Sequence, residues 1–295
     1  MKSNFIDGEL LMRTQNKSFT HKNKSNLTLL LFVLVLIAIL AVRTTGYLRQ
    51  AIIITPSATL RNGPGIEYSK KETLNEKQRI TILRRKYHWM YVKTPQNKFG
   101  WIADWDVAKK ERNKITNISD ATIVIDPGHG GSDSGALSAS GKMEKTYTLK
   151  VARKVVKELR MKGAKVYMTR DADKYVGLAA RSDLSNKVHA DAFISFHFDS
   201  SPVENDASGF TTYYYHKKRS YRLAKMINSN LDTLTLDNRG IDFGNFLVIR
   251  DNKFPAILLE MGYINSDRDF AQIKSISYQN AIAADVVSGL TKYFN

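Results

Sequence analysis

Hydrophobic and polar positions divide the chain into three regimes. The first 26 residues are polar, and the sixteen that follow, Leu27 to Val42 (LTLLLFVLVLIAILAV), carry no charge. At about 1.5 Å per residue this run spans ~24 Å, short of the ~30 Å hydrocarbon core of a bilayer. Arg43 can snorkel, and Thr44 to Leu48 extend the segment, with Tyr47 suited to an interface. One transmembrane helix is expected over 27–48, after a cytoplasmic tail over 1–26. A cleaved signal peptide is the rival reading, since a short apolar run behind basic residues is also its pattern. The run is long for a signal, however, and Thr44 to Gly46 makes a poor cleavage site. Lys2, Arg13, Lys17, Lys22 and Lys24 precede the run, so the positive-inside rule leaves the N-terminus in the cytoplasm. Either reading exports the rest of the chain.

From Thr55 to Val107 the pattern shortens to β-type runs broken by turns: ATLRNGPGIEYSK, QRITILRR, HWMYVKT and FGWIADWDV. A small all-β barrel is expected over 55–108. The charged stretch KKERNKITNIS has no sustained apolar stripe, so 109–120 reads as a linker.

Beyond Ala121 strands alternate with helices. ATIVID and KVYMTR read as strands, and Lys145 to Lys162 carries apolar residues at helical spacing up to Gly163. Leu178 to Ala190 reads as a helix, AFISFH and GFTTYYYH as strands, and 220–231 as a helix. FLVIR and AILLE are expected as strands before a last helix ending near Tyr293. The alternation predicts an α/β fold over 121–295, with a mixed, largely parallel sheet flanked by helices.

Composition narrows the chemistry. The chain has 295 residues, no cysteine, and a formal charge of +17 from 45 basic and 28 acidic side chains. Disulfides, thiolate metal sites and cysteine nucleophiles are excluded, which leaves histidines and carboxylates as the strong metal ligands. The positive excess favours anionic partners, either nucleic acid or an anionic cell envelope. Export makes nucleic acid the weaker of the two.

Ligands of open α/β sheets lie at the carboxyl ends of strands, and three such ends carry reactive groups. In IVIDPGHGG a glycine-rich turn lifts His129 off a buried strand, and the apolar run FISFH ends in His197. Each could be a hydrogen-bonded buried histidine, but two at two strand ends, with Glu144 available in GKMEK, point to a metal. Glu144 would also suit a helix first turn for dipole reasons alone. Two histidines and one carboxylate around Zn²⁺ leave a fourth position for water, the pattern of a catalytic zinc site. Glu260, closing the apolar run PAILLE, stands where a carboxylate can accept and return a proton, or can end a strand as a salt-bridged group. A phosphate cradle is a poorer reading of the glycines, because neither GxGxxG nor GK[ST] is present.

Two resemblances follow from these motifs. ATLRNGPG with the later Gly100-Trp101 resembles bacterial Src-homology-3-like modules, which implies attachment to peptidoglycan; a spacer that binds nothing is the alternative. IDPGHGGSDSGA with Glu144, TRDADKYVGLAARSDLSNKVHADAFISFH and FPAILLEMGYINS, in this order, is similar to the zinc-dependent N-acetylmuramoyl-L-alanine amidases of the type-3 family. That resemblance implies His129, Glu144 and His197 as zinc ligands and Glu260 as the catalytic glutamate. Arg181 matches an arginine of the family's helix pattern, with a structural or a substrate-orienting role. The whole arrangement is similar to membrane-anchored staphylococcal wall amidases.

The chain departs from the family at Phe198-Asp199, where Ala-Asn is common, and at Tyr263 and Asn265-Ser266. No ligand is lost. The stretch from His197 to Gly209 leaves little room for the blocking helix of some regulated members. The resemblance implies a peptidoglycan hydrolase cleaving the bond between N-acetylmuramic acid and L-alanine, and the anchor would hold it near the outer membrane face. Because a self-digesting activity needs control, a membrane-protein activator contacting Leu27 to Val42 is a further partner to expect. A wall-binding scaffold and a zinc peptidase acting on stem peptides are the alternatives.

Overall fold

A computed structural model describes residues 29–44, 49–107 and 115–295. The expected cytoplasmic tail, residues 27–28 and 45–48 of the expected membrane segment, residue 108 of the expected β module and residues 109–114 of the expected linker lie outside these residues. Helix α1 covers residues 29–44, with its apolar side chains exposed along its whole length. It is shorter than the expected 27–48 span. Among the described residues no helix is long and apolar enough to cross a membrane. The physical reason is length, since sixteen residues rise only ~24 Å.

The first sheet has six strands, β1 (Gln50–Ile52), β2 (Ser57–Arg61), β3 (Lys70–Asn75), β4 (Arg79–Lys86), β5 (Trp89–Lys93) and β6 (Phe99–Ala103). They pair antiparallel in the order β1-β4-β5-β6-β2-β3. Strand β1 precedes the expected start of the β region at Thr55 and pairs with Arg79 to Thr81. Period-two alternation buries Ala58, Leu60, Leu74, Ile80, Met90, Val92 and Ile102 in one core. Gly100 is required there, because a Cβ would stand 2.7 Å from Leu60 Cγ.

The second sheet comprises β7 (Thr122–Pro127), β8 (Lys165–Met168), β9 (Ala192–Asp199), β10 (Phe210–Tyr214), β11 (Asn238–Phe243) and β12 (Ala256–Tyr263). Their order is β11-β10-β12-β9-β7-β8, and every neighbouring pair is parallel except β10 with β12. The helices are α2 (Glu144–Met161), α3 (Leu178–Val188), α4 (Lys217–Asn228), α5 (Leu247–Arg250), α6 (Asp267–Ile273) and α7 (Ile276–Phe294). Successive residues of β7 serve opposite faces. Ile123 and Ile125 join α2, α4, α6 and α7 in the larger core, while Val124 joins α3 and α5 in the smaller one. Helix α2 stops where expected, with Gly163 in the left-handed region at φ 85°.

FLVIR is the clear departure in this region. It forms the single helical turn α5, closed by Arg250 N–H to Phe246 O at 2.8 Å, not a strand. Short apolar runs read either way, and here Val248 and Ile249 share one buried face against α3. Strand β11 (NRGIDF) has no apolar alternation because it is a solvent-exposed edge.

The first sheet docks on the α3 side of the second. Ile66 and Trp105 pack against the smaller core, and the Trp105 and Tyr167 rings meet edge-on at 5.4 Å. Tyr167 donates its hydroxyl to Asp104 at 3.0 Å. Ile118, in the expected linker, is buried in the larger core.

Candidate metal centre

Three elements deliver the predicted group. Strand β7 ends at Pro127, and a turn carries His129 in the left-handed region at φ 60°, uncommon for a residue with a side chain. Glu144 is the first residue of α2 and is only 3% exposed. His197 stands on β9, whose parallel pairing with β12 places Glu260 directly beside it.

The side chains converge. His129 Nε2 lies 2.9 Å from Glu144 Oε2, and His197 Nδ1 lies 3.0 Å from Glu144 Oε1 and 3.1 Å from His129 Nε2. One donor atom from each residue falls within a mutual 4.8 Å. Ligands at 2.0–2.2 Å around a tetrahedral ion stand about 3.3 Å apart. Two imidazole nitrogens and a carboxylate at this spacing therefore fit a zinc ion and leave a coordination position open.

The surroundings hold that geometry. Glu144 Oε2 accepts from Ala136 N–H at 2.9 Å and Oε1 from Phe198 N–H at 3.0 Å. Burial works against the Glu144 charge, yet the His129 and His197 contacts hold its carboxyl well below the usual range. Burial also opposes the His129 cation, while Glu144 and Asp133 outweigh it and raise the imidazole. Asp133 meets His129 Nδ1 at 2.9 Å, so Nε2 is left to face the cluster. Glycine provides the room. A Cβ on Gly128 would sit 2.2 Å from the His197 ring, and one on Gly135 would sit 2.5 Å from Glu144 Oε2.

Two buried arginines clasp the turn. Arg181 donates from Nη1 to Pro127 O and to Asp126 Oδ1, both at 2.8 Å, and from Nη2 to His129 O at 2.8 Å. Its Nε donates to Val176 O at 3.1 Å, and the residue is 2% exposed. Arg170 donates to Pro127 O at 3.0 Å and to Gly128 O at 2.8 Å. Burial, with Arg181 nearby, pushes the Arg170 guanidinium down to about 10. Three successive carbonyls, of Pro127, Gly128 and His129, are thus satisfied by guanidinium groups. Asp126, fully buried, also accepts from Thr169 and Ser195, and these contacts with Arg181 keep it ionised against its burial.

Glu260 is different in kind. Its Oε2 is buried without a hydrogen-bond partner, and burial, then Glu144 and Asp199, raise its carboxyl well above the ordinary value. Beside the cluster a cavity of about 240 Å³ opens between His129, Asp133 and His197 on one wall and Leu178, Phe246 and Leu258 on the other.

All five residues singled out in the sequence belong to this region, with Arg181 beneath it. Asp126, Asp133 and Arg170 were missed. Asp133 has a signal in hindsight, a carboxylate four residues after a histidine in a glycine-rich turn, whereas Arg170 looked like an ordinary strand end.

A largely parallel sheet with such a cluster at its strand ends makes this an α/β protein with a candidate metal centre, and sequence comparison assigns the family. The N-acetylmuramoyl-L-alanine amidase family profile matches residues 123–292, and the chain belongs to that family. It is similar to the probable cell wall amidases LytH of Staphylococcus epidermidis, 36% identical over 252 residues, covering 83% of this chain and 84% of the relative. The LytH of Staphylococcus saprophyticus is 35% identical over 254 residues, covering 83% and 85%. Among solved structures, the N-acetylmuramoyl-L-alanine amidase AmiC2 of Nostoc punctiforme is 36% identical with a TM-score of 0.56, covering 59% of this chain and 96% of that one. The catalytic domain of CwlV from Bacillus (Paenibacillus) polymyxa var. colistinus is 35% identical with a TM-score of 0.57, covering 59% and 97%. The chain is a peptidoglycan amidase that cleaves the bond between N-acetylmuramic acid and L-alanine.

Proposed function

We propose that His129, Glu144 and His197 hold a zinc ion for this cleavage and that Glu260 is the catalytic acid and base. The observation that carries this reading is the convergence of the three donor sets, with Glu260 in register beside His197. Zinc bound there supplies a Lewis acid that polarises the scissile carbonyl and acidifies water. Glu260 takes the proton of the attacking water and hands it to the leaving amine of L-alanine, a transfer suited to a carboxyl whose burial raises its basicity. Asp133 keeps the His129 ring turned towards the metal. Arg181, buried and bonded to the 126–129 turn, supports the site from below. The Leu178, Phe246 and Leu258 wall receives the apolar part of the muramoyl-peptide junction.

The rest of the chain is part of the same proposal. Residues 121–295 form the catalytic domain, 109–120 the linker, and 55–108 a Src-homology-3-like module that binds the wall. Residues 27–48 anchor the enzyme in the cell membrane with residues 1–26 in the cytoplasm. The uncharged run and the outward apolar side chains of α1 support this. A membrane protein contacting that segment serves as activator.

The test is to incubate the zinc-loaded full-length protein with purified peptidoglycan and to identify the released material by mass spectrometry. Intact stem peptides beginning with L-alanine are expected from the wild type, with none from Glu260→Ala. Shortened peptides would indicate a peptidase instead. Full activity without any other protein would remove the activator from the proposal.

A further inference from the structure

The β2–β3 turn of the first sheet reaches the wall of the metal turn. Arg61 Nη1 fixes this turn by donating to Ile66 O at 3.1 Å and Tyr68 O at 2.7 Å. From it Glu67 crosses to the second sheet, where its Oε1 accepts from Asp171 N–H at 3.2 Å. The Tyr68 ring lies 3.6 Å from the Lys174 ammonium. A second grip comes from the end of β4, where Lys86 Nζ stands 3.3 Å from the Asp171 carboxylate.

Residues 171–175 are the outer support of the glycines that follow His129. Asp173 Oδ1 accepts from Gly131 N–H at 2.8 Å, and Lys145 Nζ bridges Asp173 Oδ2 at 2.9 Å and Gly131 O at 2.7 Å. A Cβ on Gly130 would lie 2.3 Å from Lys174 O, and one on Gly131 would lie 2.4 Å from Tyr175 N. Backbone therefore packs directly on backbone. Glu67 is two contacts from His129, through Asp171 and then Asp173 to Gly131.

We propose that Glu67 is a positioning residue for the amidase reaction: by holding residues 171–175 against Gly130 and Gly131, it lets the docked first sheet fix the orientation of His129. The inference rests on the reading of His129 as a metal ligand. The cost of the arrangement supports it. Glu67 Oε2 is buried without a partner, and an interface needing only packing would be better served by an apolar side chain. Burial, with Asp171 beside it, pushes the Glu67 carboxyl up to about 7. The amide of Asp171 remains as the contact that keeps it in place.

The test uses the full chain and reads amide hydrogen exchange in the metal-free protein together with steady-state kinetics of the zinc-loaded one. Glu67→Ala is expected to speed exchange across residues 129–135 and 171–175 by about tenfold or more. It is also expected to lower kcat by roughly tenfold to a hundredfold with KM within about twofold, because the residue touches no substrate. Glu67→Gln keeps an oxygen for the Asp171 N–H and is expected to restore both values to within about twofold of wild type. Lys86→Met, which releases the second grip, is expected to move exchange in the same segments by about threefold and supplies an independent reading where Glu67→Ala folds poorly. A folded Glu67→Ala protein with unchanged exchange at 129–135 would overturn the proposal. So would a Glu67→Gln protein as impaired as Glu67→Ala. A wild type inactive by itself would point either to the missing activator or against the amidase mechanism, and the exchange comparison would then decide the proposal without it.

Discussion

Replacing Arg181 with methionine separates its two candidate roles, scaffold and substrate contact. The substitution keeps much of the volume and removes a guanidinium that is 2% exposed. Asp126, fully buried, loses its ion-pair partner at 2.8 Å and keeps only the hydroxyls of Thr169 and Ser195. Breaking a buried pair from one side costs about 3–5 kcal/mol. Pro127 O retains Arg170 at 3.0 Å, but His129 O and Val176 O lose the bonds that Arg181 made, at about 1 kcal/mol each. The sum is about 5–7 kcal/mol, a large part of the ~5–15 kcal/mol that holds a typical domain folded. With a slope of roughly 3 kcal/mol per molar urea, the unfolding midpoint should fall by about 2 M. Adding Asp126→Asn removes the stranded charge and should recover part of that loss. The assay is urea unfolding followed by circular dichroism, alongside kcat and KM on peptidoglycan. A midpoint shift below about 0.5 M with a tenfold rise in KM would refute the scaffold role and put the guanidinium on the substrate.

Three further outcomes follow from the same geometry. Asp133→Asn leaves the fold intact and weakens zinc binding by about 10- to 100-fold in chelator competition, because the His129 ring loses its orienting carboxylate. Gly128→Ala keeps a permitted backbone but drives a methyl to 2.2 Å from the His197 ring, so His197 swings out and zinc affinity drops by at least ~100-fold at unchanged far-ultraviolet circular dichroism. Glu67 holds its proton in the folded protein up to about 7, against an ordinary value of 4.5, so the unfolded chain binds fewer protons between these values. Its contribution to stability should therefore fall as pH rises from 4.5 to 7 and stay level above. Urea unfolding at stepped pH should show that fall in the wild type and not in Glu67→Gln, and an equal slope in both would contradict the assignment.

The chemistry of the site was more legible than its support. His129, Glu144, His197 and Glu260 all sit at strand ends or a helix start, and residues in such places announce themselves by interrupting apolar runs. Helix α2 was readable from its apolar stripe, Ala152, Val155 and Leu159, and its stop at Gly163. Edge and single-turn elements were not. Strand β11 is solvated and carries no alternation, and α5 is too short for period 2 and period 3.6 to be told apart. Strand β1 owes its existence to pairing with β4, far along the chain. Arg170 and Glu67 were invisible because their work is done at a distance: Arg170 reaches carbonyls about forty residues away, and Glu67 an amide 104 residues away. No local pattern encodes such contacts.

The clasp of Arg170 and Arg181 on the carbonyls of residues 127–129 also bears on how the ion proposed for this site would be taken up. A loop that must be ordered by its ion spends part of the binding free energy on immobilising the chain. Here the turn is ordered by arginines, and those arginines are present from the moment the sheet forms. Folding and loading of such an ion would then be two independent events, folding first. An ion held by His129, Glu144 and His197 should then be removable by a chelator and restorable without unfolding the chain.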